Sequence, residues 1–299
     1  MASVNTPVRA PETASPRLKK KGQLELVMGR LVQSRMAMLG LAVVVILVLV
    51  SIFAPLIAPY SPTTMDSTAI FATPSLKHLL GCDSLGRDQF SRLIYGGRYS
   101  LTLGFLAAAL SALIGIILGT ISGFLGGWVD NLVMRFLDVL QAIPGMLLSI
   151  CISTVLGPGF FNTILALSVG GVAGITRILR ACILSERRNE YLEAAASINC
   201  STRRIMFKHL LPNTISPVIV NITMGIGATI MQAAALSYIG LGIQPPTPEW
   251  GAMLSAGRGY VESYPHLLIW PGVFIAVTVL AVNMLGDGLR DALDPKLKR

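Results

Sequence analysis

EAAASINCSTRRIMFKHLLPN, residues 193–213, is a polar, basic interruption between two long apolar segments. Arg187, Arg188, Arg203, Arg204 and Lys208 crowd it. The run Glu193, Ala194, Ala195, Ala196 favours helix strongly. Asn199 tolerates the left-handed backbone conformation and so ends a helix readily. Ser201 or Thr202 can cap a second helical piece through Phe207 and His209, which Pro212 closes. The stretch therefore predicts a short helix, a turn and another helix, tucked between membrane spans.

The composition around it supports that setting. The chain has 299 residues, 53% of them hydrophobic and 13% charged. A soluble domain carries roughly 25% charged residues. The deficit, with several apolar runs near the length of a bilayer crossing, makes this an all-α polytopic membrane protein. The net charge of +9 does not point to nucleic acid, because the basic residues sit in gaps between spans and lack the aromatic interleaving of RNA readers. Four cysteines, Cys82, Cys151, Cys182 and Cys200, show no CxxC or Cys/His spacing. Only Cys82 falls outside, so no intrachain disulfide is expected there, and the other three read as small apolar filler.

Residues 1–35 form a cytoplasmic N-terminal segment, with a proline-rich, lysine-rich start that cannot bury a core and an amphipathic stretch, 23–35, suited to the membrane surface. The transmembrane domain takes up 36–299, with six spans expected at 36–58, 99–123, 132–156, 162–184, 215–241 and 266–285. Residues 59–98 are the longest gap, broken by Pro59, Pro62 and Pro74 and punctuated by glycine. There, His78, Asp83 and Asp88 invite the question of a metal. Carboxylates interleaved with Arg87 and Arg92 more often make local ion pairs and caps, and that reading is preferred.

In the second span Ala107, Ser111, Gly115, Gly119, Gly123 and Gly127 recur every four residues. Small side chains at this spacing let two helix backbones approach closely. Packing within the chain is favoured over a dimer seam. The third span contains Asp138, expected to pair with Arg135 or to cap, and Pro144, expected to kink the helix. Arg177 and Arg180 of the fourth span can snorkel toward the cytosol. After the fifth span, Pro245, Pro246 and Pro248 make a rigid turn, and Trp250 suits an interfacial belt. A loop at 186–213 separates spans four and five.

Six spans put both termini on one side. Of the 24 lysines and arginines, only Lys77, Arg87, Arg92, Arg98 and Arg258 fall on the other. The positive-inside bias places the termini and the 186–213 loop in the cytosol. No Gly-Lys dipeptide occurs, so there is no Walker A phosphate cradle, and neither HExxH nor GxSxG is present. The three histidines, His78, His209 and His266, are far apart in sequence. The chain is thus expected to be neither an enzyme nor a binder of cofactor or metal. Midplane carboxylates mark ion coupling, yet Asp138 and Asp287 lie near the cytosolic ends. Energy for uphill transport is expected from another chain's ATP hydrolysis.

The order Glu193-Ala194-Ala195, Asn199, Leu211-Pro212 resembles the cytoplasmic loop of bacterial ABC importer permeases. The family usually has glycine where Asn199 stands. The stretches HLLGCDSLGRDQFSRLIYGGRYSL (78–101), GIQPPTPEWGAML (242–254) and LGDGLRDALDPKLKR (285–299) resemble the dipeptide/oligopeptide branch, which also handles glutathione, some sugars and nickel. The resemblance covers about residues 36–299 and implies the C-type subunit of such an importer, with a type I permease fold in a bacterial cell membrane. It further implies a second, homologous permease chain, two ATP-binding cassette subunits and an extracytoplasmic solute-binding protein docking near 59–98. By the same resemblance, Glu193, Ala194, Ala195, Asn199, Arg203, Leu211 and Pro212 belong to a coupling helix seated in a groove of the ATPase. Glu193 would meet a basic residue there. The rival reading is an ion-coupled transporter or channel acting alone. It calls for an inverted repeat with interrupted helices, which the sequence does not display. An intramembrane enzyme would need paired catalytic residues at one depth, which are also not seen.

Overall fold

The computed structural model describes residues 23–293. The expectations for the 1–22 start and for the basic tail Lys296, Lys298 and Arg299 lie outside the described residues. Thirteen α-helices follow in order: α1 Gln23–Gln33, α2 Arg35–Ile52, α3 Ala54–Ile57, α4 Gln89–Leu125, α5 Gly127–Gln141, α6 Gly145–Leu156, α7 Phe160–Glu186, α8 Glu190–Ser197, α9 Thr202–Arg204, α10 Leu211–Thr214, α11 Ser216–Tyr238, α12 Trp250–Gly257 and α13 His266–Leu293. Among the described residues there is no strand, only one isolated bridge between Cys82 and Asp88.

Five helices, α2, α4, α7, α11 and α13, are long and apolar enough to cross a membrane. The third expected span differs. It is two helices, α5 and α6, bent by 87° at the break, not one kinked helix. Pro144 has an extended backbone there (φ −51°, ψ 132°). It lacks an N–H for the ladder and pushes Ile143 away from helical geometry, and Gly145 resists neither change. Pro271 inside α13 has the opposite outcome: the helix continues through it. The carbonyl four residues back, on Leu267, accepts instead from Gln89 Nε2 at 3.2 Å. A satisfied carbonyl lets a membrane helix tolerate proline.

The second span starts ten residues earlier than the apolar pattern indicates. Asp88 caps α4 by accepting from Ser91 N at 2.8 Å and Ser91 Oγ at 2.7 Å. The first turns then carry buried Gln89, Ser91 and Arg92, which a hydropathy reading excludes. The first span ends as α2, with a separate turn α3 started by Pro55. Arg98 closes α2 by donating to Ser51 O (2.6 Å) and Ile52 O (2.7 Å).

The small-residue ridge determines the central packing. It lies against α7 of the same chain. An added Cβ on Gly115 would sit 2.8 Å from Ile175 side-chain carbons, on Gly119 2.9 Å from Thr176 O, and on Gly123 2.9 Å from Ile183. Ser111 Oγ donates to Ser168 O at 2.6 Å, and Thr176 Oγ1 donates to Gly115 O at 3.3 Å. Gly127 stands outside the ridge, at a turn with φ +57° and open space around it. Helix α11 packs on α13 and α4, and α2 packs on α13.

Candidate functional site

The 186–213 loop is anchored from below and open above. α7 runs to Glu186, and after three intervening residues α8 begins. Glu190 and Glu193 occupy its first turn, where the helix dipole favours carboxylates. Leu192 and Leu210, one from each limb, are buried with Leu179 and Ile183 of α7 and Val218 of α11. Tyr191 ties the limbs together: its hydroxyl donates to Glu186 Oε1 at 2.7 Å and accepts from Asn213 Nδ2 at 3.0 Å. Burial and the Glu186 hydrogen bond push the Tyr191 phenol pKa up.

Asn199 makes the turn with φ +57°, the left-handed conformation glycine would also supply. Beyond it the structure departs from the sequence expectation twice. Ser201 stands at the cap position of α9 but makes no side-chain capping bond. Pro212 does not close the second limb. Residues Ile205–Leu210 widen into a π-helical turn, with Leu211 N–H reaching Met206 O, and α10 continues through Pro212 to Thr214. A widened turn moves the carbonyl that the proline ring would otherwise strike.

The outward surface carries Glu193, Ala194, Asn199, Arg203 and Pro212, all exposed, while Ala195 and Leu211 are half-buried. Two apolar side chains join them: Ile198 is 81% exposed and Phe207 60%. The sequence reading missed both. Their signal was an apolar residue beside a turn and another at the centre of a basic limb, where neither membrane nor core explains it.

About two turns up from this loop, two ion pairs bind α5 to α7. Arg180 bridges Asp130 with both Nε and Nη2, and Ser122 Oγ also donates to Asp130. Arg177 Nη2 donates to Asp138 Oδ1 at 2.6 Å. Asp138 thus pairs across helices and not with Arg135. On one helix the basic-before-acidic order is the weaker arrangement, and α7 brings a better-placed guanidinium. Above the Asp138 pair, the α5–α6 break opens a cleft of about 270 Å³ lined by Gln141, Pro144, Gly145, Leu148, Gly170 and Ala173 among others. Such a volume lies just under the range of drug-sized ligand sites and suits one end of a small ligand.

The opposite end of the bundle is a polar cap. Asp83 holds Arg87 Nε at 2.7 Å and accepts from Leu85 and Arg87 backbone N–H. His78 Nδ1 lies 2.9 Å from Asp88 Oδ1 and its ring stacks on Tyr60. His78, Cys82 and Asp88 bring ligand-type atoms within 4.8 Å of one another. Both Asp88 oxygens are engaged, one by His78 and the other by Ser91. Burial, with Asp88 and Asp83 nearby, pushes the Cys82 thiol up to about 11. These groups serve as pairs and caps.

Trp250 is not in an interfacial belt. It is 1% exposed, donates Nε1–H to Leu93 O at 2.9 Å and packs on Phe274. Gly96 and Gly97 of α4 leave the room its indole fills. Glu249 before it is fully buried and caps α12, accepting from Gly251 N (3.0 Å), Ala252 N (2.8 Å) and Ser100 Oγ (2.9 Å). Burial raises its carboxyl pKa, against the opposing pull of those backbone N–H groups.

With this geometry in place, comparison with known proteins is informative. Residues 115–299 match the family model for the inner membrane component of binding-protein-dependent transport systems. Residues 22–74 match the N-terminal transmembrane domain of oligopeptide transport permease C. The glutathione transport system permease protein GsiD of Escherichia coli O6:K15:H31 is 47% identical over 267 residues, covering 89% of this chain and 88% of that one. The Shigella boydii protein of the same name matches equally. Among solved structures, an inward-facing form of the MetNI methionine ABC transporter gives a TM-score of 0.56 at 18% identity, covering 68% of this chain and 96% of that one. An amino acid ABC transporter solved with histidines gives 0.53 at 18%, covering 66% and 92%. These two bear on the fold alone.

Proposed function

The chain belongs to the inner-membrane permease family of binding-protein-dependent ABC transport systems, and from that premise we propose that it imports a small peptide of the glutathione type. As a permease subunit of an ATP-driven importer it is a transport component, and hydrolysis falls to a partner ATPase supplied with solute by a binding protein. The solute reading is carried by one observation, the 47% identity over 267 residues to a glutathione permease. A second, homologous permease chain completes the pathway in this reading. The termini and the 186–213 loop face the cytosol, as the distribution of basic residues supports.

The exposed surface around Glu193, Ala194, Ile198, Arg203 and Phe207 is the ATPase-docking face in this proposal. Its support is physical. Apolar side chains stand in water on a loop whose other side is firmly anchored. Small Ala194 lets a groove approach the backbone of α8. The 59–98 segment, with its polar cap, forms the outer surface where the binding protein delivers solute.

The test is uptake of labelled glutathione by vesicles holding the assembled complex, with binding protein outside and ATP inside. ATP-dependent accumulation is expected, greater than for a simple dipeptide such as Ala-Ala. Preference for the dipeptide would refute the solute assignment. Accumulation without ATP, following an ion gradient, would refute the importer reading in favour of a self-sufficient transporter.

A further inference from the structure

The ion pair Asp138–Arg177 stands where a membrane protein can ill afford it. Both side chains are about half exposed, 50% and 43%. Arg177 lies nine residues before the end of α7, about 14 Å along the axis. Charged side chains on membrane-spanning helices face a water-filled cavity or a protein partner, not lipid. The cleft at the α5–α6 break supplies the cavity. Its wall includes Gln141, one turn beyond Asp138 on α5, and Ala173, one turn before Arg177 on α7. The pair stands one turn beyond this lining, at the cleft's edge on the side of the 186–213 loop.

The donor inventory matters as much as the position. Arg177 makes a single hydrogen bond, from Nη2, of the five its guanidinium can donate. Asp138 uses one oxygen. The remaining planar N–H edge suits a carboxylate in two-point contact. The remaining oxygen suits an ammonium. A peptide with a free ammonium and a free carboxylate presents both groups, so it can divide the pair between its ends. By contrast, the neighbouring Asp130–Arg180 pair is closed, with both carboxylate oxygens and two guanidinium nitrogens engaged.

We propose that the cleft at the α5–α6 break, rimmed by Arg177 and Asp138, is a transient peptide-end subsite on the solute path, with Arg177 taking the carboxylate. The inference rests on the peptide-import reading but is tested without using the transported solute. Gly170 lines the cleft, and a side chain there meets nothing within 4 Å. The probe is Gly170→Cys, with Cys82, Cys151, Cys182 and Cys200 replaced by serine, in the assembled complex in vesicles. It is reacted with an anionic sulfonatoethyl and a cationic trimethylammonioethyl methanethiosulfonate.

Labelling by both reagents is expected, and the anionic-to-cationic rate ratio of each variant is read against that of the Gly170→Cys parent. Arg177 is seven residues, about 10 Å, from Gly170 along α7. Removing one charge at that distance in water alters the anionic-to-cationic rate ratio about fourfold. Arg177→Gln should lower the ratio by that factor, Arg177→Lys should leave it, and Asp138→Asn should raise it. An unreactive thiol in the Gly170→Cys complex, or a ratio that ignores Arg177→Gln, overturns the proposal. A second comparison keeps the native cysteines: Gly170→Glu should cut import of glutathione several-fold relative to Gly170→Gln. Equal import by those two variants also overturns it. Should the wild-type complex fail to import glutathione while the labelling ratios behave as stated, the solute assignment falls and the subsite stands.

Discussion

Gly119→Leu should dismantle the centre of the bundle, and its cost can be worked from the α4–α7 contact. The first carbon of any side chain at 119 would stand 2.9 Å from Thr176 O, 3.0 Å from Leu179 Cβ and 3.3 Å from Thr176 Cα. Ordinary carbon contacts need about 3.5–4.0 Å. Two of the three obstacles are backbone, so no rotamer change relieves them and the helices must separate by about 0.5–1 Å for that carbon alone. Overpacking of this kind costs about 1–3 kcal/mol. Separation also stretches Ser111 Oγ–H to Ser168 O and Thr176 Oγ1–H to Gly115 O, each worth about 0.6 kcal/mol between membrane helices. We expect a total of about 3 kcal/mol for Leu and roughly a third of that for Gly119→Ala. Leu118→Ala is the control. That side chain is half-buried beside Leu137, and its partial loss should cost about 1 kcal/mol. Yield of the solubilised complex after graded heating orders the three variants. Wild-type heat resistance and transport in Gly119→Leu would mean that the ridge does not bear on α7.

Two further outcomes follow from other parts of the chain. Glu193→Lys should weaken copurification of the ATPase by reversing the charge at the start of α8, and Ala194→Trp should do so by bulk; both should leave binding-protein affinity intact, and normal docking in both would reduce the loop to a connector. Glu249→Ala should lower thermal stability by about 2–3 kcal/mol, because Gly251 N, Ala252 N and Ser100 Oγ lose their shared acceptor in a buried place, whereas Glu249→Gln should recover part of it, and equal stability of all three would show that the cap is idle.

Much of the bundle was readable because hydropathy reports directly on lipid burial. The starts of α7 and α13 and most of α11 follow the apolar runs closely. The misses have local causes. Gln89, Ser91 and Arg92 are polar yet buried, so α4 is longer than its apolar core. Pro144 and Pro271 look alike in sequence, and the helix survives the second because Gln89, remote in the chain, satisfies the carbonyl it frees. Asp138 had a candidate partner on its own helix, and only the fold brings Arg177 nearer. Trp250 reads as interfacial by type, while the glycines that make room for it lie on α4. The candidate loop was legible in its helix-turn-helix order, through Asn199, but not in the exposed Ile198 and Phe207, because a sequence does not say which apolar side chain the fold leaves uncovered.

The three features on α7 act together because they lie along one rigid element. From Ala173 at the cleft to Glu186 at the loop is about 20 Å of uninterrupted helix. Along that length α7 is locked to α4 by the glycine ridge and to α5 by two ion pairs. Leu192 and Leu210 pin the loop to its end. A force applied at α8 therefore reaches α4, α5 and α7 as one block. Helix α6 packs on the preceding half of α7, where Ser149 Oγ donates to Ala166 O at 3.1 Å, and it meets α5 at the 87° break. The joint between them, residues 142–144, lies beside the cleft. A two-state element of this kind can be biased from both ends, by whatever grips the loop and by whatever occupies the cleft, and linkage makes the two influences reciprocal. An ATPase that shifts the loop must then alter cleft occupancy by the same free energy with which the occupant alters the loop.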